Sequence, residues 1–163
     1  MENIFHRVSV RSFESRAVED EKITQILRAA MAAPSAGNQQ PWEFFVVRDA
    51  SKIVALSKCS EYAGCAAGAP LVIVPCYTEG NRFQELAQID LAIASEHIWL
   101  EADAQGLGAV WLAVAPFEER VQKVREIIGC GENLHPFALF PIGYARQTPA
   151  PKDRFKPEKI HYV

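Results

Sequence analysis

The 163-residue chain lacks the marks of several large protein classes. Its most apolar segment, LAQIDLAIASEHIWLEADA, is broken by Asp90, Glu96, His97, Glu101 and Asp103. A plain membrane span, which needs about 18 or more nearly uninterrupted apolar residues, is therefore excluded. The opening residues, MENIFHRVSVRSF, hold no continuous apolar core of the kind a secretory leader carries. Cys59, Cys65, Cys76 and Cys130 form no C-x-x-C pair and match no zinc spacing. Reduced structural thiols and a cytoplasmic location are the expectation. Basic excess is missing too. With 17 Lys+Arg against 20 Asp+Glu, the net charge of −3 argues against a nucleic-acid partner.

The familiar catalytic signatures are also absent. There is no G-x-S-x-G, H-E-x-x-H, Walker loop or G-x-G-x-x-G, and GLGAVW offers only G-x-G ahead of a strand, the wrong order for a dinucleotide fingerprint. His6, His97, His135 and His161 are scattered without a ligand spacing, so no metal site is expected. Side chains supply no obvious nucleophile. An enzyme built from this chain would depend on a bound cofactor that brings its own reactive atoms.

What is present is ordinary globular material, 49% hydrophobic and 23% charged. A single domain, residues 1–163, is expected, burying roughly 70% of the surface of the open chain. Between Ser15 and Ala33 a lead-in passes into a helix. There Ile23, Ile26, Leu27, Ala30 and Met31 make one stripe, acidic Glu19, Asp20 and Glu21 suit the positive helix start, and Pro34 ends the run. Glu43–Arg48 reads as a strand and Ala50–Ser57 as a brief helix. PLVIVPCY (70–77) has the continuous apolar character of a strand covered on both faces, with Pro75 weakening its end. Phe83–Gln105 is the longest helix, about 35 Å at 1.5 Å per residue. It is apolar nearly all round, and a second subunit is expected to help cover it. GLGAVWLAV (106–114) reads as a glycine stop and a strand, Phe117–Ile128 as an amphipathic helix and Phe137–Ala145 as a strand. Pro149, Pro151 and Pro157 leave an extended tail. Strands alternating with helices predict an α/β or α+β class, a sheet enclosed by helices.

Two cationic groups and one loop stand out. Arg7, Ser9 and Arg11 alternate along HRVSVRSF, which in an extended segment turns all three to one side. Lys152 and Arg154 lie almost at the other end, in APKDRF. Guanidinium forks and hydroxyls suit phosphate oxygens; solvated surface charge is the plainer alternative. Between Pro34 and Pro41 the chain places Asn38, Gln39 and Gln40 in succession. Their paired donors and acceptors suit the edge of a flat heterocycle, and the alternative is a polar turn that caps the helix. Trp42 and Trp111 read as core rather than as stacking platforms.

Taken in order, RVSVRSF, ILRAAMAAPSAGNQQPWEFFVV, GAPLVIV, the long helix entering GLGAVWLA, and PIGYA followed by PKDRF resemble the nitroreductase-like family of FMN-dependent oxidoreductases, in its minimal-length branch. The resemblance implies an α+β fold with a central, mostly antiparallel sheet flanked by helices, in an intertwined homodimer with an exchanged C-terminal arm. It implies that Arg7, Ser9 and Arg11 hold the FMN phosphate and ribityl chain, with Arg7 and its neighbour Val8 also approaching the pyrimidine side of the flavin and Lys152 and Arg154 closing on the same phosphate. Pro34, Ser35, Ala36 and Asn38 would come from the other subunit. Leu112, Ala113 and Val114 would lie along the ring and offer a backbone N–H to flavin N5. Where the family often has glycine near 113 and 114, this chain has Ala and Val. The implied activity passes hydride from NAD(P)H through FMN to a nitroaromatic, quinone or similar acceptor in ping-pong fashion. A specialised flavin reaction (fragmentation, dehalogenation or dehydrogenation) or non-enzymatic FMN storage are the alternatives.

Overall fold

The computed structural model describes residues 3–163. Its centre is a sheet in the order β1 (Trp42–Val47), β2 (Leu71–Thr78), β6 (Ala138–Gly143), β3 (Gly108–Ala109). The short β4 (Leu112–Ala113) also pairs with β6, and β5 (Leu134–Pro136) pairs with β2. Every strand pair is antiparallel. Ile73, Phe140 and Ile142 are fully buried at the middle of the sheet. The continuous apolar run of β2 is thus explained by cover on both faces, since Leu71 and Ile73 belong to one core cluster while Val72 and Val74 belong to another.

Pro75 is tolerated inside β2 because the strand changes partner there. Leu71–Ile73 pair with β6 and Cys76–Thr78 pair with β5, while the Pro75 carbonyl accepts from Phe137 N in the gap between them. The segment 106–114 is two strands rather than one. Trp111 sits at the break, with its ring edge-on to Phe137 and Phe140, centroids 5.6 and 5.3 Å apart. That break turns one end of the segment to β6 near Gly143 and the other to β6 near Leu139.

The helices follow their apolar stripes. After α1 (Asn3–His6), α2 (Asp20–Met31) buries Ile23, Ile26 and Ala30 of its expected stripe while Met31, at its last turn, is exposed, and the extended Glu19 cap leaves Ser15–Val18 outside the helix. α3 (Ala50–Leu56) starts at Asp49, whose carboxylate accepts from Lys52 N. α4 (Ala87–Ala104) begins four residues later than the hydrophobic pattern suggests. Phe83 is non-helical, its N–H and carbonyl are both taken by the Gln39 side chain, and a 3-10 turn at Gln84–Leu86 intervenes. α4 buries Ala87, Leu91, Ala94, Ile98 and Ala102, and His97 Nδ1 donates to Ala29 O of α2 at 3.0 Å. Ile89 on another side of α4 remains exposed. α5 (Glu118–Ile128) is closed by Gly129 in the left-handed region.

Residues 147–163 are exposed, with Phe155, Ile160 and Tyr162 open to solvent, and the expected extended course is interrupted by a 3-10 turn at Pro157–Lys159. No helix among the described residues is long and apolar enough to cross a membrane.

The N-terminal segment docks against the edge of the sheet at β3. Val10 N donates to Ala109 O at 2.9 Å, and Ser9 forms a parallel bridge with Ala109. Gly108 permits this approach, because a Cβ there would lie 2.6 Å from Val10 Cβ. Gly108→Ala is expected to destabilise the fold by about 1–3 kcal/mol through overpacking, read as a lower urea midpoint. An unchanged midpoint would show that the segment is not seated here.

Candidate functional site

Docking at β3 sorts the N-terminal side chains. Val10 is buried, while Arg7, Val8, Ser9 and Arg11 all line one cleft of about 450 Å³. Arg7, Ser9 and Arg11 share one cleft as expected, but Val8 lines it with them, so the segment does not sort by strict alternation. Lys152 and Arg154 line the same cleft, with Trp99, Pro149 and Ala150 completing it. Four cations from the two ends of one chain are gathered there, and no carboxylate is among the lining residues.

Arg7 is held in place from two sides. Its guanidinium carbon stands 3.8 Å from the centroid of the Trp99 ring, and its Nε lies 3.5 Å from Glu96 Oε1. Trp99 is itself fixed, its Nε1–H donating to Ala109 O at 3.1 Å, the carbonyl that also accepts from Val10 N. Burial pushes the Glu96 carboxyl above its usual range, and Arg7 beside it pulls it back in part. Nothing local in the sequence marks Glu96 and Trp99 as site residues. Their separation of three positions on one helix was the available signal, but only the docking of the N-terminal segment gives it meaning.

The loop between Pro34 and Pro41 is built differently from the expectation. Gln39 does not face outward to a heterocycle. Its amide nitrogen donates to Asp90 Oδ2 at 2.7 Å and to Phe83 O at 3.1 Å, and its oxygen accepts from Phe83 N at 3.0 Å. Asp90, 4% exposed, also accepts from Ala36 N at 2.9 Å. The Ser35 hydroxyl accepts from Gln40 N at 3.0 Å. These bonds hold Gly37, Asn38 and Gln40 at φ of 56°, 55° and 48°, on either side of a right-handed Gln39; for Asn38 and Gln40 that conformation costs free energy and needs such a clamp. Pro34, Gly37, Asn38 and Gln40 are exposed, and Ser35 and Ala36 are half-buried. None of Pro34, Ser35, Ala36 and Asn38 lines the cationic cleft of its own chain.

Leu112, Ala113 and Val114 lie beside β6. Val114 is fully buried and its N–H is spent on Phe137 O at 3.1 Å, which narrows the outward-facing backbone to Ala113. Antiparallel alternation turns the Ala113 peptide groups away from β6, and the Ala113 carbonyl accepts from Arg120 Nη1 at 3.3 Å. Leu112 is buried. Burial pushes all four thiols above their ordinary value, Cys76 furthest, so none is a ready thiolate.

Comparison with known proteins identifies the family. The sequence profile of the nitroreductase family matches residues 4–63 and 56–144. A protein of Archaeoglobus fulgidus, provisionally named NADH dehydrogenase/NAD(P)H nitroreductase, is 38% identical over 163 residues, covering 97% of this chain and 94% of its own. A solved structure from Clostridium acetobutylicum, provisionally named NADH oxidase, superposes with a TM-score of 0.94 at 44% identity, covering 98% and 97% of the two chains. An FMN-dependent nitroreductase from Clostridium difficile R20291 superposes with a TM-score of 0.92 at 28% identity, covering 98% and 96%. The chain belongs to the nitroreductase family, a family of oxidoreductases.

The Asp90 clamp yields a test of the loop. Asp90→Ala orphans Ala36 N and the Gln39 amide, and is expected to cost about 1–3 kcal/mol. Faster hydrogen exchange at Ala36 should accompany it. Unchanged exchange at that amide would contradict the clamp.

Proposed function

We propose that this chain is an FMN-dependent, NAD(P)H-oxidising reductase that works as a homodimer. The observation that carries this is the cleft in which Arg7, Arg11, Lys152 and Arg154 converge with no lining carboxylate. Such a concentration of positive charge suits a phosphomonoester. The similar Clostridium difficile protein is described as FMN-dependent. The donor set fits that cofactor: guanidinium and ammonium groups for the phosphate, and the Ser9 hydroxyl beside them for a phosphate or ribityl oxygen.

Each residue then has a definable task. Arg7, fixed on Trp99, presents its remaining N–H groups without first having to be ordered, which lowers the entropic cost of binding. Lys152 and Arg154, on an exposed arm, close the cleft from the other end of the chain. Ala113 is the residue of its strand whose peptide groups point away from β6, and it is the candidate for the backbone hydrogen bond to the ring. When bound, FMN supplies the hydride chemistry, taking the equivalent from NAD(P)H and delivering it to a nitroaromatic, quinone or similar acceptor. Positive side chains near the cofactor favour its anionic reduced form.

The homodimer reading is supported by two kinds of unspent surface. Ile89 on α4 and Phe155, Ile160 and Tyr162 on the arm are exposed apolar groups. The clamped Pro34–Asn38 loop stands away from the cleft of its own chain and is offered to a neighbour's. Exchange of the arm between subunits belongs to the same proposal, although the cations of both chain ends already meet within one chain.

Two experiments test this. Anaerobic addition of NADH or NADPH to the purified yellow protein should bleach the flavin rapidly. Absence of bleaching with both would favour a specialised flavin reaction or a storage role. Arg154→Ala should weaken FMN retention by about 1.5–3 kcal/mol, roughly 10–100-fold. Parental retention in dialysis would remove Arg154 from the phosphate site.

A further inference from the structure

A second cavity, of about 590 Å³, adjoins the cationic cleft and shares Arg11 with it. Ser12, Phe13, Ser15, Cys65 and Arg146 are among its other lining residues. The floor is made where Phe13 bridges Ala145 in antiparallel fashion, with Arg146 N donating to Ser12 O at 3.0 Å. Arg146 is oriented by a further bond from its Nε to Phe13 O at 2.6 Å. Its two Nη groups have no protein acceptor among the described residues, and the side chain is exposed. Among the described residues neither Arg11 nor Arg146 has an ion pair.

Nothing in the wall cancels these charges. No carboxylate lines the cavity. Burial pushes the Cys65 thiol up more than Arg11 pulls it down, so it stays neutral near pH 7. Ser12 and Ser15 add hydroxyl donors. Two guanidinium groups, one held by a backbone carbonyl, with hydroxyls beside them and no anion, are the chemistry of an oxyanion receptor.

The geometry points to this cavity as the place where a substrate's oxyanion is held, with Arg146 as its anchor. The inference rests on the reductase reading above and adds a substrate class to it. The oxyanion is a carboxylate on the electron acceptor or the 2′-phosphate that distinguishes NADPH from NADH. Both are planar or tetrahedral oxygen anions that a guanidinium fork engages in the same way.

Matched pairs of probes decide the matter on the FMN-replete protein. Calorimetry measures binding of 4-nitrobenzoate against the isosteric, neutral 4-nitrobenzamide, and of NADP+ against NAD+. The parent is expected to prefer the anionic member of one pair by about tenfold or more, and Arg146→Gln should bring that ratio close to one. Loss of the nitrobenzoate preference assigns the cavity to the acceptor; loss of the NADP+ preference assigns it to the nucleotide. Parental protein with no preference in either pair overturns the inference, as does a preference that Arg146→Gln leaves intact. The parental ratios stand by themselves if the variant fails to fold, and Arg146→Lys, which keeps the charge, should retain part of the preference. Bleaching by NADH or NADPH is scored separately. A protein that bleaches but shows no preference fails here alone, whereas one that binds the anionic probe selectively and never bleaches fails as a reductase.

Discussion

The structure depends on bringing like charges together. Arg7 and Arg11 from the beginning of the chain meet Lys152 and Arg154 from its end, in a cleft without a lining carboxylate. Left to themselves these groups repel one another and prefer water. Their convergence is sustained by contacts made elsewhere. The seat of Val10 over Gly108, the two bonds accepted by Ala109 O, and the face of Trp99 under Arg7 together fix one half of the cluster. The other half lies on an exposed, proline-punctuated arm. The first half presents its donors in a set position, and the second lies open to solvent.

A chain with net charge −3 that gathers four cations in one place has a local potential opposite to its overall sign. That contrast favours a small phosphorylated ligand over a long polyanion, which would meet repulsion beyond the cleft. The clamped loop has a complementary character. Asp90 and Gln39 spend their polar groups on one another and on Phe83, so the loop's shape is settled before anything approaches it. Pre-formed surfaces of this kind bind with less ordering cost than flexible ones.

Much of this could be read in the sequence, for physical reasons that differ by element. The stripe of α2 and the unbroken apolar run of β2 are local patterns that burial enforces directly. The period of two in an extended segment was enough to place Arg7, Ser9 and Arg11 in one cleft, although Val8 between them lines it as well. What could not be read depended on partners distant in sequence. β5 is three residues long and includes Pro136, so it has no period of its own and exists because β2 has an open edge beyond Pro75. The inward role of Gln39 is set by Asp90, 51 positions away. Glu96 and Trp99 become site residues only when the N-terminus lies beside α4. The break at Trp111 follows from aromatic packing against Phe137 and Phe140 rather than from any local breaker.

The central claim is that cations from both chain ends hold a flavin phosphate in a paired assembly. Native mass spectrometry of the freshly purified protein tests it most directly, since one spectrum reports subunit number and bound mass together. The expected species is a dimer carrying two FMN molecules. A monomer of bare chain mass, with added FMN failing to appear in the spectrum, would contradict the account.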